Sequence, residues 1–370
     1  MKFLFIAPRF HTNFYYVVKT LIDHGHQVDF FVLYQGVSEM HDLVKPISLG
    51  YSSIFKWWNG WCNREGGKLI KTQYELRYGF PPVFYFLNLL IKSKANVLII
   101  KDITTSYSIL ALFSGFLLRK RMIVFTQIPK YRKQRRSGSI KWLWRLFGVY
   151  AITPVLGDKI YKNENDNLIY LPFIVPVDKK PRSYFKSEGR ITILCVGKFQ
   201  ERKNQLLLLQ AVNKLKNNFS LKLLLIGQDD EVDYFSKIRT YIIKHKLESI
   251  VEILNNVPWN KMDDYYRNSD VFVLPSYNEA ASYSLVEAMS YGLPVLCSND
   301  NGTQFYINQN KNGFVFDSFK VEDLTEKLSQ IVSDKNKLIE MGETSKYLIK
   351  SFHQPDYFYQ KLMELIKTYE

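Results

Sequence analysis

At 370 residues the chain exceeds what one ordinary hydrophobic core fills, so two domains are expected. A composition of 46% hydrophobic and 23% charged residues excludes a disordered or fibrous chain. The net charge of +15 points to an anionic partner: nucleic acid, a phosphate-bearing substrate or anionic lipid.

The opening residues MKFLFIAPRF read as a first strand, Phe3 to Ile6, rather than as a secretory leader. Asn13 is a candidate cap for a helix reaching His24-Gly25, and Val28 to Leu33 reads as the next strand. A helical region from Arg64 to Lys92, broken at Pro81-Pro82, precedes strands at Val97–Ile100, Arg121–Phe125 and Leu168–Leu171. This alternation is that of a doubly wound parallel sheet. Cys62, Cys195 and Cys297 show no paired spacing, which fits a reducing compartment, and two of them sit in apolar strands as core thiols. The longest uncharged apolar stretch, Ile109 to Leu118, is too short to span a membrane. No His pair has zincin spacing and no D-x-D occurs, so no metal site is expected.

No acid separates Asp102 from Asp158. Arg119, Lys120, Arg121, Lys130, Arg132, Lys133, Arg135, Arg136, Lys141 and Arg145 crowd this segment, with Trp142, Trp144 and Phe147 interleaved. Trp57, Trp58 and Trp61 form a second aromatic cluster. Two readings stand: a solvated basic face, or docking on an anionic membrane, where basic charge and interfacial tryptophan occur together. Nucleic-acid binding is not expected, because no recognition motif accompanies the charge.

Residues 171–190, with three prolines, read as a linker, after which the alternation restarts. Strands are expected at Ile191–Val196, Leu221–Ile226, Val251–Leu254, Val271–Leu274, Val295–Cys297 and Phe314–Phe316. Five turns carry small or polar residues, as a ligand crevice at one sheet edge would: Gly197-Lys198, Gly227-Gln228, Asn255-Asn256-Val257-Pro258-Trp259, Asp300-Asn301-Gly302-Thr303 and Asn312-Gly313. Between the last two long strands runs LPSYNEAASYSLVEAMSYGLPV, Leu274 to Val295. Glu279 falls in a loop above the strand end and Glu287 in the following helix, with seven residues between. The amides of Ala281 to Ser284 form the helix N-terminus between them, suited to phosphate flanked by hydroxyl-bearing groups. Ser284-x-x-Glu287 also fits a capping box, which explains Glu287 without a ligand.

VGKFQERKN, PSYNEAASYSLVEAMSYGLPV, NDNGT and KNGFVF together resemble the C-terminal domain of the retaining glycosyltransferases of family 4, which have the GT-B fold. The likeness covers Ile191 to about Phe316; in the first half, HGHQV at His24 to Val28 is similar to a shorter element of that family. The resemblance implies an α/β GT-B architecture: two doubly wound Rossmann-like domains facing across a cleft. Residues 1–175 would bind acceptor and 185–350 the nucleotide-sugar, with a helix at about 353–370 packing back on the first. It implies that Glu279 contacts the donor sugar, that Lys198 and Lys203 stabilise the leaving diphosphate, and that Glu287 binds the ribose. Gly197, Asn256, Val257, Pro258, Ala281, Ser282, Tyr283, Gly302 and Thr303 would complete the donor site. Two departures stand out. Ala280-Ala281-Ser282 replaces the family's glycine-aromatic-glycine, and Gln127 stands in the place of a histidine, with Arg9 and His11 as candidate substitutes on the acceptor side.

The implied activity is metal-independent, cofactor-free, configuration-retaining transfer from a nucleoside-diphosphate sugar to a glycan or lipid-linked acceptor. Such an enzyme would build bacterial surface polysaccharide or glycolipid, in the cytoplasm at the inner face of the membrane. The alternatives are a nucleotide-sugar epimerase-like enzyme, or a non-catalytic relative that binds anionic membrane or polymer.

Overall fold

The computed structural model describes residues 1–36, 40–62, 77–103, 105–127, 146–155, 168–186 and 189–369. Two compact units divide the chain: Met1–Pro154, Lys159–Ile174 and Pro355–Glu370 in the first, Val155–Asp158 and Val175–Gln354 in the second.

The first unit is built on seven parallel strands: β1 Lys2–Ile6, β2 Gln27–Val32, β3 Ile47–Ser48, β4 Val97–Lys101, β5 Arg121–Phe125, β6 Tyr150–Thr153 and β7 Leu168–Tyr170. Their order is β3-β2-β1-β4-β5-β6-β7. Apolar side chains cover both faces, which is why these strands read as unbroken hydrophobic runs. On one face Leu4, Ile6, Leu98, Ile100, Met122 and Val124 pack with Phe86, Leu90, Ala111 and Leu112 of the helices Val83–Lys92 and Ser106–Leu117. On the other, Phe5 meets Phe14 and Phe30 at ring-centroid distances of 5.5 and 5.4 Å. The helix Tyr15–Asp23 starts from a short turn, Thr12–Phe14, with Phe14 at its N-cap and no side-chain cap. Asn13 therefore does not cap it; burial of Phe14 fixes where this helix begins.

The C-terminal helix Pro355–Lys367 lies in this unit, where the Tyr359 ring stacks on His24 at 3.7 Å and its hydroxyl pairs with His26 Nε2 at 2.9 Å. Tyr369 accepts the Tyr150 N–H at 3.0 Å and donates to the Met122 carbonyl.

The second unit holds β8 Ile191–Val196, β9 Leu221–Gly227, β10 Val251–Asn255, β11 Val271–Leu274, β12 Val295–Ser298 and β13 Gly313–Phe316. All are parallel, in the order β10-β9-β8-β11-β12-β13. The stretch read as a linker is anchored here. The Arg182 guanidinium donates to the carbonyls of Tyr266 at 3.2 Å, Tyr291 at 2.8 Å and Ser269, and Asp270 accepts the Phe185 N–H at 2.7 Å.

Both sheets have a point where the chain leaves neighbouring strands in opposite directions, β1/β4 in the first and β8/β11 in the second. In open α/β sheets, ligands bind outside the carboxyl ends of the strands at such points.

Candidate active site

Two close backbone approaches shape the carboxyl edge of the second sheet. A Cβ on Gly227 would fall on the carbonyl of Gly197, and one on Gly302 on the carbonyl of Ala280. Gly197 itself has room, since a Cβ there would meet only the Lys203 side chain at 3.5 Å. The close approach of these two strand ends therefore depends on glycine at 227. The loop after β11 is clamped from two sides. Tyr277 N–H donates to the Arg202 carbonyl at 2.9 Å, and Asn278, at φ +52°, donates to Asp300 Oδ2 at 2.7 Å. Glu279 N–H donates to the Asp300 carbonyl at 3.2 Å, and Gly302 N–H to the Glu279 carbonyl at 3.1 Å.

This clamp brings Glu279 to the cations that follow β8. Lys203 Nζ and Arg202 Nη1 both donate to Glu279 Oε2 at 2.6 Å, while Oε1 accepts no hydrogen bond among the described residues. Lys203 and Glu279 are nearly enclosed, at 13% and 12% side-chain exposure. Arg202 was not singled out in the sequence; its position one residue before Lys203, in the turn Glu201–Lys203, is the available signal. Lys198 is elsewhere: its ammonium pairs with Asp230 at 2.9 Å, shares that carboxylate with Gln200, and stays 44% exposed.

The helix Tyr283–Ser290 starts at Ser282, which makes no side-chain cap. Ser282 Oγ bonds instead to Ser284 Oγ at 3.0 Å, and Ser284 Oγ donates to the Val196 carbonyl at 3.4 Å, tying the helix start to the end of β8. The capping-box reading fails because Ser282, not Ser284, is the N-cap, which leaves Glu287 two residues past N3. Its Oε1 accepts Trp259 Nε1–H at 2.9 Å and its Oε2 the Tyr266 hydroxyl at 3.0 Å. Burial pushes its carboxyl up to about 7, against the pull of those two donors. Asn256, at φ +55°, donates its N–H to the Gly227 carbonyl at 2.8 Å, and the chain then runs through Val257 and Pro258 into the turn that places Trp259. Asn301 Oδ1 accepts the Thr303 N–H at 2.9 Å and hydroxyl at 2.7 Å, fixing Gly302-Thr303 beside the loop.

Asn312-Gly313 does not join this edge. Gly313 opens β13, opposite Val295 at the start of β12, so in an all-parallel sheet it lies at the amino end. Cys195 is a buried core thiol, pushed up to about 12 by burial, and carries no chemistry here.

Arg9, His11 and Gln127 lie at the carboxyl edge of the first sheet, after β1 and β5. Lys101, the last residue of β4, joins them and was missed; a lysine ending the buried run Val97 to Ile100 is the signal that could have found it. Burial pushes the Lys101 ammonium down to about 8, opposed by Asp102 and reinforced by Arg9. The His11 imidazole is held well below its usual range by burial, then by Lys101 and Arg9.

Residues 176–347 match the family model "Glycosyl transferases group 1". The match falls within the second unit, Val175–Gln354. The chain is 25% identical over 213 residues to an uncharacterized glycosyltransferase of Methanocaldococcus jannaschii, covering 56% of this chain and 58% of that protein. It is 26% identical over 155 residues to a lipopolysaccharide core biosynthesis glycosyltransferase of Rhizobium meliloti, covering 41% and 42%. The chain thus spans about half the length of the curated relatives it matches. Among solved structures it is similar to Anabaena HepE in complex with UDP-glucose (TM-score 0.75, 13% identity, all of both chains). It is also similar to sucrose-phosphate synthase of Thermosynechococcus elongatus (TM-score 0.74, 16% identity, 100% of this chain and 98% of that one). At these identities the likeness establishes the fold, the two Rossmann-like sheets of GT-B proteins.

Proposed function

We propose that this protein is a configuration-retaining, metal-independent glycosyltransferase. It takes a sugar from a nucleoside-diphosphate donor held by the group 1 domain and passes it to a glycan or lipid-linked acceptor held by the first unit. The observation that carries the reading is the enclosed Lys203–Glu279 pair at 2.6 Å, at an open switch point beside a helix start with no side-chain cap. Departure of the diphosphate leaves negative charge on the bridging oxygen, and fixed positive groups aimed at it lower the barrier. Lys203, Lys198 and the amides of Ala281 to Tyr283 supply that field. Glu279 Oε1, which accepts no hydrogen bond from the described residues, receives the sugar hydroxyls. Glu287 takes the ribose, Gly197, Gly302 and Thr303 border the diphosphate, and Asn256 to Pro258 border the base. No protein nucleophile is assigned. Metal independence rests on the lack of a D-x-D sequence.

The same reading places the enzyme at an anionic membrane surface. Ile54, Trp57 and Trp58 on the helix Ser53–Cys62 are exposed, as are Phe84, Tyr85 and Ile91 on Val83–Lys92 and Phe113, Phe116 and Leu117 on Ser106–Leu117. The last two helices pack inward on one sheet face, so their outward aromatics share a side. Apolar residues of this size beside Lys92, Lys94, Arg119 and Lys120 suit an interfacial surface. Residues 128–145, which carry most of the basic run, lie outside the described residues, as does the Trp61 side chain. No described helix is long and apolar enough to cross a membrane.

The test is turnover with UDP-, GDP-, ADP- and CMP-sugars in EDTA against glycan and lipid-linked acceptors, with the product's anomeric configuration read by NMR. One nucleotide class should give product with the donor's configuration. Inversion, or turnover only with added metal, contradicts the reading. Flotation on anionic against neutral liposomes tests the membrane part, and equal recovery from both would remove it.

A further inference from the structure

The carboxyl edge of the first sheet collects Lys101, Arg9 and His11, and Asp102, the acid whose charge favours the Lys101 ammonium, forms no ion pair with them among the described residues. β1 and β4 are neighbours, Ile6 opposite Ile100, so the residues that leave them share one corner. Lys101 Nζ lies 5.4 Å from the centroid of the Phe14 ring, and Phe14 packs on Phe125 at 5.0 Å. The ammonium is thereby held on an aromatic shelf, and His11 is tied to the same shelf through its carbonyl, which accepts the Phe14 N–H at 2.9 Å. The Lys101 backbone is fixed as well. Ser108 Oγ donates to its carbonyl at 2.9 Å, and Asp102, at φ +60°, donates its N–H to Phe125 at 2.8 Å.

The charged groups themselves are left over. Among the described residues, the side chains of Lys101, Arg9 and His11 make no hydrogen bond or ion pair. Asp102, the nearest acid in sequence, spends Oδ1 on the Ile103 N–H at 2.7 Å. By contrast, Lys2 pairs with Asp29 at 2.8 Å and Lys19 with Asp23 at 2.9 Å. Like charges gathered in a partly desolvated corner oppose folding unless an anion joins them. Burial is the largest cause that lowers both the Lys101 ammonium and the His11 imidazole; Arg9 adds to it in each, and Asp102 opposes it at Lys101. Two cations with further donors from β1 and β5 match a phosphate, which offers three terminal oxygens, better than a carboxylate, which offers two.

We propose that this corner binds a phosphate group carried by the acceptor, with Lys101 and Arg9 as its charge partners and His11 and Gln127 as hydrogen-bond donors. The word acceptor rests on the transfer reading above; the anion site does not. The phosphate belongs to a lipid-linked or to a soluble phosphosugar.

The experiment is a calorimetric titration of the full chain with glucose, glucuronate, glucose 6-phosphate, inorganic phosphate and dodecyl phosphate below its micellar concentration. Phosphate-bearing probes should bind at least ~10-fold tighter than glucose and glucuronate. K101M and R9Q should each lose about that factor for phosphate, K101R should recover most of it, and all should keep the wild-type circular dichroism and UDP affinity. Tighter binding of dodecyl phosphate assigns the group to a lipid; tighter binding of glucose 6-phosphate assigns it to a soluble sugar. If UDP does not bind while K101M still loses phosphate, the anion site stands and the donor reading falls. Equal affinity for glucose and glucose 6-phosphate, glucuronate bound as tightly as phosphate, or unchanged phosphate affinity in folded K101M and R9Q overturns the proposal.

Discussion

The two sheets share one strand order around their switch points and differ in how the charges there are balanced. At the carboxyl edge of the second sheet Lys203 and Arg202 share one acid, Glu279, and Lys198 meets Asp230. In the first, Lys101 and Arg9 form no ion pair among the described residues, although the charge of Asp102 favours the Lys101 ammonium. A paired edge is stable when empty and offers a ligand the carboxylate oxygens left over. An unpaired edge waits for an anion.

The largest expected effect lies on the paired side. Glu279→Ala should lower turnover by about 10²–10³-fold, the usual loss when a group that orients or stabilises the transition state is removed, with circular dichroism unchanged. Near wild-type turnover would show that the pairing is structural only. Glycine sharpens the contrast next. Gly302→Ala drives a Cβ into the Ala280 carbonyl and should cost about 3 kcal/mol in denaturant unfolding. Gly25→Ala in the first unit, at φ +77° with nothing within 4 Å, should cost only about 1 kcal/mol. Equal costs would mean that the clamp on the Glu279 loop is slack.

The third effect is a pH dependence. The Glu287 carboxyl is raised to about 7 in the folded state, so between roughly pH 4.5 and 7 the native protein holds a proton that the unfolded chain releases. Stability from this group is therefore greatest at low pH and falls as pH rises through that window, by up to about 3 kcal/mol. Denaturant unfolding at pH 5 and 8 should show that fall, and Glu287→Gln should flatten it; an unchanged slope would mean the carboxylate is already ionised. The smallest effect on stability is expected from Lys198→Ala, below about 1 kcal/mol because the Lys198–Asp230 pair is exposed. A larger loss would make that pair part of the framework.

Much of the fold is legible because parallel strands covered on both faces leave continuous apolar runs. Ile191–Val196 and Val271–Leu274 can be bounded from the sequence for this reason. β3 is two exposed residues and β6 only four, too little apolar sequence to stand out. The turn Asn312-Gly313 looks like the others, and only the direction of its strand sends it to the far edge. Within the site, Glu279 and Glu287 can be found by spacing, but their partners cannot. Which cation meets Glu279 depends on the backbone bond from Tyr277 to Arg202, and what holds Glu287 depends on Trp259 and Tyr266, which come from two different elements. Lys101 escapes notice because its isolation is a three-dimensional fact. The sheet edge it lies on is completed by residues that leave β1 and β5, far from it in sequence.

The most direct test of the central claim, that the carboxyl edge around Glu279 and Glu287 is a nucleotide-sugar site, is a thermal shift of the full chain against UDP-, GDP-, ADP- and CMP-sugars in EDTA. One nucleotide class, at about 100 times its dissociation constant, should add roughly 2.7 kcal/mol of stability, and Glu287→Ala should abolish the gain. No shift with any donor, or a shift that survives in the variant, would contradict the assignment.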